Sequence, residues 1–338
     1  MAVSSDWNNS LDPMAVMRLS SAYWHSSVIH VAQRLDLFNQ LAVLEKADTA
    51  QLAQQLKADP RGLELIAIAC VGLGLLEKEG VFFKNSLLAQ TFLVESSPRY
   101  QGGIVAMFDA WVQPWSRLAD AVVAGQPVVE KQHDRGEQQT RKYIMGMLYR
   151  GIPQAHLLAL EVPLPGCKRL LDVGGGPGIF TIIFCQKNQG LQGVVMDLPQ
   201  TLTITREIIQ NHQAQNRVST LEGNYLTDPF GQDYDVVLLS SMINQEGPDV
   251  VKNILQKSYH ALNPGGLLVL QEQLLNAEKT GPLLAALIGL NQVVHTPAGR
   301  AYSAPEMVDM AREVGFKSIS FRALPEPSPF TLITAVKS

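Results

Sequence analysis

Apolar residues recur at helical spacing through MAVMRLSSAYWHSSVIHVAQRLDLFNQLA, residues 14–42, which predicts amphipathic helices there. Asp48-Thr49 is a cap for a helix running through Leu56. Asp59-Pro60 opens another that continues to about Leu73, with Gly72 and Gly74 punctuating its end. Leu75 to Lys84 reads as two short strands around Glu79-Gly80, so the run as a whole has the form of a winged helix. Gln101 to Val123 is again helical and contains Trp111 and Trp115, whereas the charge-rich Val129 to Arg141 reads as a solvated loop. Helical spacing returns from Tyr143 to Val162, with Met145, Met147 and Tyr149 on neighbouring turns, until Pro163-Leu-Pro-Gly breaks it.

From Arg169 the pattern changes. Short apolar runs, RLLDVG, GVVMDL, DVVLLSS and LLVLQEQ, alternate with helical segments, the grammar of a parallel sheet covered by helices on both faces. Two further strand-like runs between Ser318 and Lys337 predict a closing antiparallel hairpin. The chain thus divides into a winged-helix-like domain over 1–100, a helical linker and lid region over 101–162, and a nucleotide-binding α/β domain over 163–338.

Composition narrows the function classes. A hydrophobic fraction of 46% with 17% charged residues is that of a globular chain. The net charge of -4 leaves no basic footprint for nucleic acid or anionic lipid. A winged helix often binds DNA, but here the helix in the recognition position, PRGLELIAIACVGLG, carries one arginine and is otherwise almost wholly apolar, which suits a protein partner better than phosphates. Cys70, Cys167 and Cys185 have no metal-ligand spacing and are expected as reduced thiols. The first residues lack the basic and apolar regions of a leader, and no stretch of about 18 apolar residues occurs, so a cytoplasmic protein is expected.

The strongest chemical signal is LLDVGGGPG, an apolar strand entering a glycine-dense turn at Gly174 to Gly178 and then a helix. Glycines there let the backbone approach a ligand at the strand's carboxyl end. Asp197, at the end of the next strand, is placed to accept hydrogen bonds from both hydroxyls of a ribose. The same layout serves NAD, but Gly176-Pro-Gly178 lacks the GxGxxG spacing, and Asp172 would set a carboxylate beside a pyrophosphate. An adenosine carrying a zwitterionic amino-acid tail fits better.

LLDVGGGPG, VVMDLP, LEGNYLTDPFGQDYDVVLL and ALNPGGLLVLQE, in that order and spacing, resemble the class I small-molecule O-methyltransferases of the caffeic-acid, acetylserotonin and hydroxyindole type, with their bacterial natural-product relatives. The resemblance covers nearly the whole chain. It implies a Rossmann-like α/β domain with a mostly parallel seven-stranded sheet, and an N-terminal winged-helix domain that forms a homodimer. The implied cofactor is S-adenosylmethionine, released as S-adenosylhomocysteine, without a metal, and the implied substrate is a small aromatic or polyketide-like metabolite. By the same match Asp172, Gly174 and Gly176 approach the methionine part of the cofactor, Asp197 and Leu198 the ribose, and Asn224 and Tyr225 the adenine. Ser240 stands where plant members carry lysine, and Asn224 where Asp is usual.

The catalytic pattern departs from the family. Its histidine base after the fourth strand falls on Asn244, followed by Gln245 and Glu246, and an amide does not act as a base. Of the two flanking glutamates one is matched by Glu272, the other falls on Ala301. Several readings stay open: transfer to an already acidic oxygen or carbon held in line, with Asn244 hydrogen-bonding it; recruitment of His295, or less readily of Tyr302 or Glu246, as the base; or a cofactor bound without transfer. Glu246 is also placed to cap the helix opening at Pro248. The substrate cavity is expected to take its walls from Met107, Trp111, Trp115, Met145, Tyr149, Met242 and Tyr302.

Overall fold

The computed structural model describes residues 13–129 and 136–338, and the chain forms two compact units, one ending at Asp109 and the other beginning at Ala110. The first unit runs α1 (Pro13–Ser21), α2 (Tyr23–Arg34), α3 (Leu37–Leu44), α4 (Thr49–Leu56), α5 (Pro60–Gly72), the hairpin β1 (Leu76–Glu79) and β2 (Phe82–Asn85), and α6 (Leu87–Phe92). The helix starts fall where the caps predict them. Asp48 accepts from the Gln51 N–H while the Gln51 side chain accepts from the Asp48 N–H, and Asp59 accepts from the Gly62 N–H with Pro60 in the first turn. Leu37, Phe38, Leu41, Leu52, Leu63 and Phe83 close one core beneath the hairpin. The outer face of α5 stays apolar and exposed at Leu65 and Ile68, as do Tyr23 and Trp24 on α2.

α7 (Gly102–Trp115) and α8 (Leu118–Ala124) replace the single helical stretch expected from Gln101 to Val123. The solvated loop expected over Val129 to Arg141 falls partly on residues 130–135, outside the described residues. Its end is not loop: α9 (Glu137–Glu161) is already helical from Glu137, because four polar residues in a first turn are as compatible with a helix's solvent face as with a loop.

The second unit continues with β3 (Arg169–Val173), α10 (Ile179–Lys187), β4 (Gln192–Asp197), α11 (Pro199–Asn211), β5 (Val218–Glu222) and β6 (Tyr234–Ser240). A short 3-10 turn, Ile243–Gln245, leads to α12 (Pro248–Ala261), β7 (Leu262–Glu272), α13 (Leu283–His295), α14 (Ala304–Val314), β8 (Lys317–Ala323) and β9 (Thr331–Val336). The seven strands lie in the order β5-β4-β3-β6-β7-β9-β8; β3 to β7 pair in parallel, and β9 joins β7 and β8 antiparallel. Alternate residues of the central strands feed opposite faces: Leu170, Val236 and Leu238 pack into one core, Leu171, Val237 and Leu239 into the other. The chain leaves β3 toward β4 on one side and returns to β6 on the other. This leaves a crevice at the carboxyl ends of β3, β4 and β6, the place where doubly wound sheets take their ligands.

The thiols of Cys70, Cys167 and Cys185 are free, and burial pushes Cys70 and Cys185 up to about 11. Among the described residues no helix is long and apolar enough to cross a membrane, and no cluster of His, Cys, Asp and Glu is arranged to hold a metal.

Candidate active site

Two adjoining cavities open in that crevice, of about 150 Å³ and about 330 Å³, and Tyr143, Met147, Arg150, Asp197 and Tyr225 are in the walls of both. The first is floored by the glycine turn. Gly174 and Gly176 have φ of +64° and +52°, and a Cβ on either would meet nothing nearer than 3.7 Å, so the bare backbone forms the cavity wall. Gly175 is fixed for a different reason: a Cβ there would lie 2.7 Å from the Asp172 carboxyl carbon and 2.8 Å from Val195. The turn then becomes the first turn of α10, whose N-terminal dipole favours negative charge.

Two carboxylates hold this turn. Asp172, 1% exposed, accepts from the Thr181 hydroxyl at 2.7 Å, and burial, with Asp197 adding to it, pushes its pKa up to about 7. At the end of β4, Asp197 accepts from the Gly176 N–H at 2.8 Å and the Leu198 N–H at 2.7 Å, tying the second strand to the turn while lining both cavities. Ser240, at the end of β6, also lines the first cavity and accepts from Gln271. These glycines and carboxylates fit an adenosyl amino acid: open backbone for its tail, a carboxylate for an ammonium, and a carboxylate at the end of the second strand for a ribose.

The second cavity continues past Leu198, Asn224 and Tyr225 to Trp111, Asn244, Glu272 and His295. Asn224 holds its own turn, its side-chain oxygen accepting from the Leu226 N–H. Tyr225 donates to the Glu246 carboxylate at 2.7 Å. Glu246 is therefore not the cap of α12; Gly247 occupies that position without a side-chain cap. Asn244 is 2% exposed, and its amide donates to the Gln273 carbonyl while its side-chain oxygen is buried without a hydrogen-bond partner. Glu272 is 3% exposed and accepts from the backbone N–H of Gln273 at 3.0 Å and of Asn244 at 3.4 Å; burial outweighs these bonds and pushes its pKa up to about 7. His295 Nδ1 is 2.9 Å from the Asn291 carbonyl, an acceptor, so Nδ1 carries the proton and Nε2 is the basic nitrogen. The Trp111 ring lies 5.6 Å from its imidazole.

The full chain is 30% identical to 3-hydroxy-5-methyl-1-naphthoate 3-O-methyltransferase of Streptomyces sahachiroi, over 96% of each chain. A family model for the O-methyltransferase domain matches residues 115–317, and one for the O-methyltransferase dimerisation domain matches residues 17–95. The chain belongs to the O-methyltransferase family. It is an S-adenosylmethionine-dependent methyltransferase. Acetylserotonin O-methyltransferase of Gallus gallus is 26% identical, over 92% of this chain and 94% of its own. In fold this O-methyltransferase matches human N-acetylserotonin methyltransferase, solved in complex with SAM, with a TM-score of 0.89 at 24% identity, covering 98% of this chain and 99% of that one.

Of the residues expected in the substrate wall of this O-methyltransferase, Trp111 and Met242 line cavities, while Trp115 stands behind the second one, donating to Asn291 at 2.9 Å. Met145 packs against a core and is in neither wall, nor is Tyr149. Met107 is a buried residue of the first unit. Tyr302 is a core residue instead of a lining one: 1% exposed, it donates to the Glu246 carbonyl at 2.7 Å, and burial pushes its phenol up to about 12, which removes it as a base. Sequence reasoning passed over Arg150, which reads as an ordinary polar position on a long helix; it is partly buried, by the elements packed around it.

Proposed function

We propose that this enzyme methylates a hydroxyl oxygen of a small aromatic metabolite, with Glu272 as the proton acceptor in place of the family's histidine. The carrying observation is the pair of buried groups in the second cavity: a side-chain oxygen on Asn244 without a partner, and beside it a carboxylate whose pKa is raised to about 7. The substrate hydroxyl has one proton: Asn244 accepts it as the ring binds, and rotation of the O–H then turns it to Glu272. Glu272, held by two backbone N–H groups and poised near neutral pH, takes the proton as the oxygen's negative charge develops. His295 is the alternative acceptor, through Nε2. Trp111, Ile288 and Met147 give the cavity an apolar wall for a flat ring. The naphthoate relative, whose named substrate is a hydroxylated two-ring aromatic, supports the same substrate class.

Bound S-adenosylmethionine supplies an electrophilic methyl group. Asp197, Leu198, Asn224 and Tyr225 would hold its adenosine, Asp172, Gly174 and Gly176 its amino-acid tail, and Ser240 the wall between. Residues 101–162 act as linker and lid, a reading supported by α9, which gives Tyr143, Met147 and Arg150 to both cavities. The exposed apolar faces of α2 and α5 and the dimerisation match favour a homodimer through the first domain.

The test is thermal stabilisation by S-adenosylhomocysteine followed by methyl transfer to a panel of phenols, in wild type, Asp197→Ala, Glu272→Gln and His295→Gln. The reading requires a shift lost in Asp197→Ala, and transfer lost in Glu272→Gln with the shift retained. Transfer lost only in His295→Gln moves the base to the histidine. A cofactor shift with no transfer to any phenol refutes O-methylation of this class.

A further inference from the structure

Arg150 lies near the middle of α9 and lines both cavities. Its guanidinium offers five N–H donors. Among the described residues it makes no hydrogen bond and no ion pair; its neighbours are the Phe330 ring, with the centroid 5.6 Å from Cζ, and the Glu272 carboxylate acting at longer range. Burial is the largest influence on its pKa and lowers it, and the Glu272 carboxylate and Tyr143, which act the other way, offset it only in part. The group nonetheless stays protonated, because an arginine in a protein does not lose its proton at any working pH.

A charge held in this way destabilises the empty protein, and such local costs gather where a ligand is to be bound. The second cavity offers donors on Arg150, acceptors on Asn244 and Glu272, and apolar wall from Trp111 and Ile288 between them. A flat ring with an anionic group at one edge and a hydroxyl at another satisfies all three. The planar fork of a guanidinium matches the two oxygens of a carboxylate.

We propose that Arg150 selects methyl acceptors that carry a carboxylate, so that the substrate is a hydroxylated aromatic acid, its acid group on the guanidinium and its hydroxyl at Asn244 and Glu272. This rests on the methyl-acceptor reading above. The amino-acid tail of the cofactor carries a carboxylate too, and the arms of the test separate the two sources.

The test is calorimetric titration of the full chain, saturated with S-adenosylhomocysteine, with matched pairs: 3-hydroxybenzoate against phenol and 3-hydroxy-2-naphthoate against 2-naphthol. In wild type at least one acid binds about tenfold or more tightly than its partner lacking the carboxylate, the scale of a charge-assisted contact. Arg150→Gln brings that ratio to within about twofold and Arg150→Lys keeps part of it, both with S-adenosylhomocysteine affinity within about threefold of wild type. Ligand-free Arg150→Met melts higher than wild type, because a partly buried charge without a close partner is gone; a lower melting temperature would make Arg150 structural and overturn the proposal. No preference for either acid in wild type, including no binding of either, overturns it alone. A fall in S-adenosylhomocysteine affinity in Arg150→Gln with the acid preference intact assigns the guanidinium to the cofactor and also overturns it. Failure of wild type to bind S-adenosylhomocysteine at all would instead bring down the cofactor assignment on which it rests.

Discussion

Replacing Asp172 by asparagine is expected to stabilise the ligand-free enzyme in alkaline solution while weakening its hold on the cofactor. Asp172 is buried under the glycine turn with a pKa raised to about 7, chiefly by loss of water. In the unfolded chain an aspartate titrates at about 3.9. A raised folded pKa means the fold favours the protonated form, so its contribution is complete below about pH 4 and is lost as pH rises to about 7. At about 1.4 kcal/mol per pH unit the mismatch with the unfolded carboxyl costs about 1.5 kcal/mol at pH 5, where the folded group is still protonated, and about 4 kcal/mol at pH 8.5, where it is ionised. Asparagine keeps an oxygen to accept from Thr181 and has no charge to desolvate. Urea unfolding of ligand-free wild type and Asp172→Asn at the two pH values should therefore show the variant gaining about 2–3 kcal/mol more at pH 8.5 than at pH 5. Glu272 titrates in the same window, but it is present in both proteins and leaves the difference unchanged. The thermal shift given by S-adenosylhomocysteine should shrink in the variant, because the carboxylate that faces an ammonium is gone. An identical stability difference at both pH values would refute the reasoning.

Gly175→Ala places a Cβ 2.7 Å from the Asp172 carboxyl and 2.8 Å from Val195, and should cost about 1–3 kcal/mol in unfolding free energy with a weaker S-adenosylhomocysteine shift; an unchanged melting temperature would show that the turn yields. Ser303→Ala removes the capping box of α14, in which Ser303 and Glu306 satisfy each other's backbone N–H groups. It should cost about 1 kcal/mol with cofactor binding unaltered in calorimetry. Gly289→Ala would bring a Cβ to 2.7 Å from the Ala301 Cβ and displace α13, which carries Asn291 and His295. Binding of aromatic acceptors should weaken while S-adenosylhomocysteine binding holds; equal loss of both would argue for general unfolding.

What the sequence revealed follows from where each segment is buried. β3, β4, β6 and β7 are covered on both faces, so they appear as unbroken apolar runs and could be placed from the sequence. β5, Val218–Glu222, has the pattern VSTLE at the sheet's edge and gives no such run; only the family likeness implied it. The winged helix was legible because Asp48, Asp59 and Gly80 carry local rules that work without tertiary context. The glycine turn and the carboxylate at the end of the next strand were legible for the same reason, since both are set by the backbone itself. The substrate side was not. Met145 and Tyr302 share the helical or loop spacing of true lining residues, and only packing decides that Trp111 faces the cavity while Tyr302 faces a core. Arg150 is the converse case, a polar residue that local pattern assigns to solvent and the surrounding elements partly cover.

The departures from the family trio belong together. The sequence match puts Asn244 in the histidine's place, which would leave the second glutamate nothing to orient. The corresponding position, Ala301, is instead closely fitted to α13: a Cβ added at Gly289 would come within 3.0 Å of the Ala301 backbone nitrogen. A small residue at each point lets the two segments approach closely. On the proposed reading Glu272 is the one member retained, and without an adjacent imidazolium its carboxylate has backbone N–H groups and the more distant Arg150 guanidinium to set against burial. On that reading burial, with no imidazolium beside it, leaves the glutamate near neutrality, where it can accept a proton itself. Restoring the histidine alone, Asn244→His, would add a base beside a carboxylate already near its titration point, so the acid limb of a pH–rate profile should shift with little gain in rate. A large gain would mean that Glu272 does not serve as the base.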